Sequence, residues 1–378
     1  SLSAAGSRYR RANSVLIRLW MPELPEVENS RRQLEKHALR RRIVALHPAD
    51  DDKVLVDGPA EVVAACEGRS VAAVRRKGKH VWLELAAAAA GESATSLCFH
   101  QGMTGAFVVR GAAEDGVEYQ DFKVDAAAWP PRHTKLRLVL DDGGEVAFTN
   151  SRRFGRVRVI PRALNSGEAP VAGLGWDALT ERPSEDDFVR DLTERLGESK
   201  KAIKSLLLDQ GFAAGIGNWI GDEVLYHAGV HPATPTRNLT EIARRNIYRS
   251  LAAVIDTSTA REVNACSAKF PQHWLFHYRW TKKAKGSKDC DGRAISFLSV
   301  GGRTSAVVGA QQKKSGWKEL LSLRAIGGEA GGRAEGGVEE GAGGEAAAQR
   351  TTRSRRKRAR AVGSAAVKAV AKAVRRRR

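Results

Sequence analysis

The period of the apolar residues changes once along this chain, and that change limits the folds open to it. From about Arg42 to Ile160, short runs alternate apolar with polar residues, as in Val81-Trp82-Leu83-Glu84-Leu85 and Lys135-Leu136-Arg137-Leu138-Val139-Leu140, with Gly, Asp and Pro between them. Asp141-Asp142-Gly143-Gly144 then turns the chain into Glu145 to Thr149. A period of two sends successive side chains to opposite faces, so this stretch predicts a β-sandwich behind an N-terminal helix. Residues 161 to 183 have the Pro and Gly content of an interdomain linker. Beyond them the spacing turns helical: Ser184 to Leu196, Lys200 to Asp209, Trp219 to Ala228, and Thr240 to Asp256 with Thr240 as N-cap. The expected class is an α+β multidomain fold.

Composition narrows the partners. The chain has 378 residues, 42% of them hydrophobic, and a formal charge of +20, with no apolar run long enough to span a bilayer. Two or three domains and no membrane partner are expected. Residues 351 to 378 are dense in Lys and Arg and hold no acid, and residues 1 to 20 add Arg alone. With both ends set aside the remainder is still net basic, which suits a polyanion. Cys66, Cys98, Cys266 and Cys290 are far apart and form no C-x-x-C pair, so neither a disulfide scaffold nor a cysteine zinc site is indicated.

Chemistry concentrates in Met21-Pro22-Glu23-Leu24-Pro25-Glu26-Val27-Glu28. A proline inside a chain has an amide nitrogen with no hydrogen and is inert; a proline at a terminus is a secondary amine that titrates near pH ~8 and can attack an aldehyde-level carbon. Glu23 would then sit beside it as a proton donor or acceptor. The same residues also read as a helix start, with Pro25 in the first turn, Glu26 and Glu28 at the positive end, and Leu24, Val27 and Leu34 on one apolar face. A helix beginning just after the amine would hold it in place.

The octapeptide resembles the N-terminus of the formamidopyrimidine-DNA glycosylase family, which includes the endonuclease VIII-like enzymes. In that family the terminal proline is the nucleophile, so the resemblance implies this role for Pro22, with Glu23 and Glu26 in the adjacent acid positions. Further matches follow in family order. Lys79 ends Arg75-Arg76-Lys77-Gly78-Lys79; on charge alone this is a solvated turn, and the family places a DNA-contacting lysine there. His100-Gln101-Gly102-Met103-Thr104-Gly105 and Asn150-Ser151-Arg152-Arg153-Phe154-Gly155 are similar to the two family loops that enter the duplex. The resemblance gives Met103, Arg152, Arg153 and Phe154 to DNA, filling the gap left by an extruded nucleotide and facing the orphaned base. Extrusion costs a few kcal/mol, and such a wedge offsets part of it. As unrelated loops, Met103 and Phe154 would more often be core side chains.

Gly211-Phe212-Ala213-Ala214-Gly215-Ile216-Gly217-Asn218 allows two tight turns and exposes N–H groups at a helix start, a ready phosphate site. It is similar to the family's helix-two-turns-helix signature, which implies that Asn218 contacts a phosphate and that Glu223 faces the proline amine. Lys201, in the basic stretch opening the first of these helices, is a further phosphate candidate. Asp291-Gly292-Arg293-Ala294-Ile295-Ser296-Phe297 and Gly301-Gly302-Arg303-Thr304-Ser305-Ala306-Val307-Val308 each alternate like strands and stand where bacterial relatives carry a four-cysteine zinc finger. They resemble the zincless finger of plant and fungal relatives, a β-hairpin in which Arg303 contacts phosphates beside the lesion. The short stretch from Cys266 to His273 suggests a reduced lesion-capping loop. It favours formamidopyrimidines and hydantoins over 8-oxoguanine.

The resulting expectation is a bifunctional DNA glycosylase and abasic-site lyase that acts as a monomer on damaged double-stranded DNA, without metal or cofactor. Residues 1–20 read as an organellar presequence or a misassigned extension, 21–165 as the catalytic β-sandwich domain, and 166–265 as the helix-two-turns-helix domain. Residues 266–315 read as the zincless finger, 316–350 as a disordered linker and 351–378 as a basic tail. The tail suggests the nucleus; residues 1–20, as a transit peptide, would suggest a chloroplast or mitochondrion. Two rivals stand beside this reading: a damaged-DNA-binding protein without catalysis if Pro22 is not freed, and an endonuclease VIII-like preference for oxidised pyrimidines.

Overall fold

The computed structural model describes residues 22–88, 91–111, 128–164, 167–264, 267–280 and 286–314. The expected presequence 1–20, the linker 316–350 and the tail 351–378 lie outside these residues.

The first helix, α1 (Leu24–Ala38), starts where the octapeptide predicts. Pro25 sits in its first turn, and the Glu23 N–H donates to the Glu26 carboxylate at 2.9 Å, satisfying a donor that a helix end leaves open. Strands β1 (Ile43–Pro48), β2 (Val71–Lys77), β3 (His80–Leu85), β4 (Thr95–His100), β5 (Gly105–Val109), β6 (Thr134–Leu140), β7 (Glu145–Asn150) and β8 (Arg156–Ile160) follow. A short helix, α2 (Pro59–Cys66), interrupts them after β1. The strands form two antiparallel sheets, in the orders β1-β6-β7-β5 and β2-β3-β4-β8, so the expected sandwich is present. Its core is aromatic at the centre: Phe99, Phe107 and Phe148 lie within 5.3 Å of one another, ring centre to ring centre. Leu136, Leu138 and Leu140 face inward at the predicted period of two. The reading of strands from Arg42 to Ile160 omitted α2, whose few apolar residues bury only Val62 and Cys66, one turn apart.

The helical half contains β9 (Trp176–Asp177), α3 (Glu185–Glu194), α4 (Ile203–Leu207), β10 (Ala213–Ala214), α5 (Asn218–His227), α6 (Glu241–Thr259) and α7 (Arg261–Asn264). Ser184 and Thr240 cap α3 and α6 by accepting from Asp187 N and Ala243 N, both at 3.1 Å. The run Lys200 to Asp209 gives only the short α4. Residues 161 to 183 are more than a linker: β9 pairs in parallel with β10, and Asp177 is buried. Residues 267–280 bury Phe270, Trp274 and Phe276 in the helical core with Trp219 and Val224.

The last two strands, β11 (Ser296–Val300) and β12 (Arg303–Val307), form the expected hairpin, closed by Gly301 and Gly302 at φ +57 and +73. Two successive left-handed residues are what a two-residue hairpin turn requires. The first strand starts at Ser296 instead of Asp291, because the Asp289 carboxylate accepts from Asp291 N and Arg293 N and bends the preceding residues into a turn.

Helix α1 belongs to both cores. Leu24 is buried among Ile216, Trp219 and Ile220 of the helical half, while Val27, Leu34 and Ala38 are buried in the sandwich. Leu24 N also donates to Gly215 O at 3.2 Å, so the first turn of α1 sits at the seam between the two halves.

Candidate active site

A cavity of about 410 Å³ opens at this seam. Pro22 and Glu23 reach it from the start of α1, Lys79 from the β2–β3 turn, His80 and His100 from the paired ends of β3 and β4, Met103 and Phe154 from the sandwich loops, Asn218 from α5, and Arg303 from the hairpin. Residues that are as much as 281 positions apart in the sequence thus share one wall.

Glu23 is the most constrained of them. Its carboxylate is buried and accepts from Trp219 N at 2.9 Å and Ile220 N at 3.1 Å, the first free donors of α5. Burial pushes its pKa up, and the Lys79 charge and the two N–H donors oppose that only in part. The approach explains Gly217: a Cβ there would sit 2.1 Å from Glu23 Cδ. Lys79 Nζ donates to Ile216 O at 3.1 Å, and burial pulls its pKa down, with Glu23 and Glu26 opposing. The His80 and His100 rings lie 4.9 Å apart, and burial holds both imidazoles down at about 4, so the pair is neutral at pH 7. Asn218 Oδ1 is buried with no hydrogen-bond partner among the described residues, an acceptor left open at the cavity wall.

A buried ion network holds the Lys79 turn. Arg76 donates to Asp177 at 2.6 and 2.9 Å and to Glu28 at 2.9 Å, and Gly78 N donates to Asp177 at 2.6 Å. These links tie α1, the turn and β9 together. A second network holds the hairpin: Lys204 Nζ donates to Asp222 at 2.5 Å and to Ser305 Oγ at 2.8 Å, and Asp222 also accepts from Arg279 and from Ala306 N. The hairpin that carries Arg303 is thereby fastened to α4 and α5.

The two sandwich loops are packed on each other. A Cβ on Gly102 would lie 2.4 Å from the Phe154 carbonyl carbon, and Arg152 N donates to Thr104 Oγ1 at 3.1 Å. Phe154 is 45% exposed, with the Arg152 guanidinium 5.3 Å from its ring centre.

Several expected residues are placed elsewhere. Glu223 does not face the proline: it is fully buried, and its carboxylate accepts from Leu275 N at 3.0 Å and Phe276 N at 2.7 Å. The reason is helical geometry, since five residues from Asn218 rotate the side chain by about 140° around α5, away from the cavity. Arg153 is outside the cavity lining and makes a two-pronged ion pair with Asp51 at 2.9 Å. Glu26 caps α1 just outside the wall, and Lys201 pairs with Asp209 at 2.7 Å on the surface. The sequence reading missed His80, Arg76, Asp177 and Asp222. His80 and Arg76 had a visible signal, as the neighbour of Lys79 and as part of its basic turn; Asp177 and Asp222 act through long-range ion pairs that no spacing announces.

Comparison with known proteins identifies both halves of the chain. The family model for the formamidopyrimidine-DNA glycosylase N-terminal domain matches residues 21–157, and that for the formamidopyrimidine-DNA glycosylase H2TH domain matches residues 174–269. The formamidopyrimidine-DNA glycosylase of Arabidopsis thaliana is 40% identical over 297 residues, which is 78% of this chain and 72% of that protein. Its counterpart from Chloroflexus aggregans is 34% identical over 247 residues, 64% of this chain and 78% of that protein. Among solved structures, Lactococcus lactis Fpg in complex with DNA containing an abasic site matches in fold, with a TM-score of 0.60 at 23% identity over 77% of this chain and 99% of that one. The chain belongs to the formamidopyrimidine-DNA glycosylase family and is a DNA glycosylase of DNA repair.

Proposed function

We propose that this enzyme is bifunctional, removing an oxidised base and then cutting the strand, with Pro22 as nucleophile once its nitrogen is a free amine. The observation that carries the proposal is the placement of Pro22, Glu23 and Lys79 on one cavity wall. The amine lone pair attacks C1′ of the extruded nucleotide as the glycosidic bond breaks, and the departing base takes the bonding pair together with the proton that the attacking nitrogen sheds. Glu23, whose protonated form is favoured by burial, gives its proton to the sugar oxygen as the ring opens and the iminium forms. Loss of a C2′ proton with cleavage of the C3′–O bond, followed by a second elimination on the 5′ side, leaves a one-nucleotide gap.

In this reading Asn218, Arg303 and Lys201 hold phosphates of damaged double-stranded DNA, the hairpin serves as a zincless finger, and Met103, Arg152 and Phe154 fill the emptied stack. A preference for formamidopyrimidines and hydantoins is supported by residues 267–280, which pack into the helical core and contribute nothing to the cavity lining among the described residues. The enzyme acts as a monomer in the nucleus, to which the basic tail directs it.

The test is borohydride trapping on an abasic-site duplex, comparing protein that starts at Pro22 with the full chain. A covalent adduct with the Pro22 form alone is the expected result. No adduct with either form overturns the lyase proposal and leaves a damage-binding protein. An adduct with both moves the nucleophile to a lysine, Lys79 first.

A further inference from the structure

The segment that follows β1 has no role in the site described so far, yet it runs beside the loop Asn150–Gly155. Val56 N donates to Val157 O at 3.0 Å and Val157 N donates to Val54 O at 2.7 Å, so residues 54–56 are stitched in parallel to the start of β8. Just before them, the Asp51 side chain is only 3% exposed and is saturated with donors. It accepts from Arg153 Nε and from the far Arg153 nitrogen, both at 2.9 Å, from Lys135 Nζ at 2.7 Å and from Val54 N at 3.3 Å. Two residues on, Lys53 Nζ lies 5.8 Å from the Phe154 ring centre.

We infer that Asp51 is a positioning residue: by clamping Arg153 it fixes how Arg152 and Phe154 are presented, and so sets how strictly the enzyme distinguishes the base opposite the lesion. The inference rests on the reading of Met103, Arg152 and Phe154 as the group that fills the duplex. Arg153 is at φ +56, a left-handed backbone that a branched-chain-sized side chain adopts only when its surroundings hold it there. A two-pronged guanidinium–carboxylate pair has fixed geometry, and this one ends on a carboxylate that two other donors, Lys135 Nζ and Val54 N, keep still. Arg152 and Phe154 flank that residue directly, so the angle between them is set by the Arg153 backbone. An opposite base is read by hydrogen bonds that depend on such angles. With the clamp gone, Arg153 can relax to an ordinary backbone conformation, and Arg152 meets different bases with more equal success.

The test measures kcat/KM for one formamidopyrimidine lesion placed opposite each of the four bases. Asp51→Asn keeps the shape and removes the charge. We expect it to narrow the spread between the best and the worst opposite base by about three- to tenfold, the coupling typical of side chains in contact. Arg153→Gln should narrow it equally, and the double variant no further than either single one. Lys135→Gln, which removes one donor that steadies Asp51 but keeps the pair with Arg153, should narrow the spread less than Asp51→Asn does. Arg153 is exposed, so its variant carries the test even if Asp51→Asn folds poorly. If Arg152→Ala narrows the spread but Asp51→Asn and Arg153→Gln do not, the clamp is refuted and the duplex-filling role stands. If Arg152→Ala changes nothing, or the unaltered enzyme has no spread, the reading beneath it fails as well. Additive effects in the double variant would also overturn the clamp.

Discussion

Glu23 has two tasks that act on the same atoms. Its oxygens cap α5 by accepting from Trp219 and Ile220, and in the proposed mechanism its proton serves the sugar oxygen. Burial wins over the neighbouring cation and raises its pKa, so the protonated form persists to higher pH than in a free carboxyl. Base excision that needs this proton should therefore fall as pH rises through the raised value. Glu23→Gln, which still offers one oxygen to α5, should slow single-turnover excision by about 10²- to 10⁴-fold and abolish that alkaline limb. Persistence of the same limb in the variant would assign the titration to another group. Glu23 and Asn218 were legible at the cavity wall because each sits in a short motif with a local reason for its place, whereas Lys79 came only from the resemblance, its own residues reading as a solvated turn. Glu223 was not, since its orientation depends on which face of α5 meets the core, and Leu275 and Phe276 decide that from more than 50 residues away.

The strands were readable from alternation and the α6 boundary from its Thr240 cap, but the joints between elements were not. Asp177 lies in a stretch whose Pro and Gly content suggests a loose connection, yet it accepts from Arg76, Gly78, Leu179 and Thr180. An acid buried by distant partners has no periodic signature. Asp177→Asn should lower stability to urea by about 3 kcal/mol, because it leaves the buried Arg76 with Glu28 alone. It should also reduce lyase rate, since the turn bearing Lys79 loses its anchor. A midpoint within experimental error of the unaltered enzyme would show that the network is not holding the elements together.

Two predictions concern the molecule entire. Against the opposing effect of burial, Asp51 and Glu145 are held at about 2, from ordinary values of 3.8 and 4.5: Asp51 by Arg153 and Lys135, and Glu145 by the Trp129 N–H donor with Arg137 and Arg110. A carboxyl depressed in the folded state adds stability that is present above about pH 4 and is lost as pH falls toward 2, so urea midpoints should drop across that window. Binding to damaged duplex should weaken with salt, log K falling by about 0.9 per neutralised phosphate for each tenfold rise. An affinity that is flat from low to physiological salt would count against a phosphate-led mode. Finally, the first turn of α1 is covalently part of the sandwich and yet packed inside the helical half. The two halves therefore cannot be parted into a chemistry module and a DNA-holding module. A chain cut between them would part Glu23 from the α5 N–H groups it accepts from and leave the cavity wall divided between two fragments.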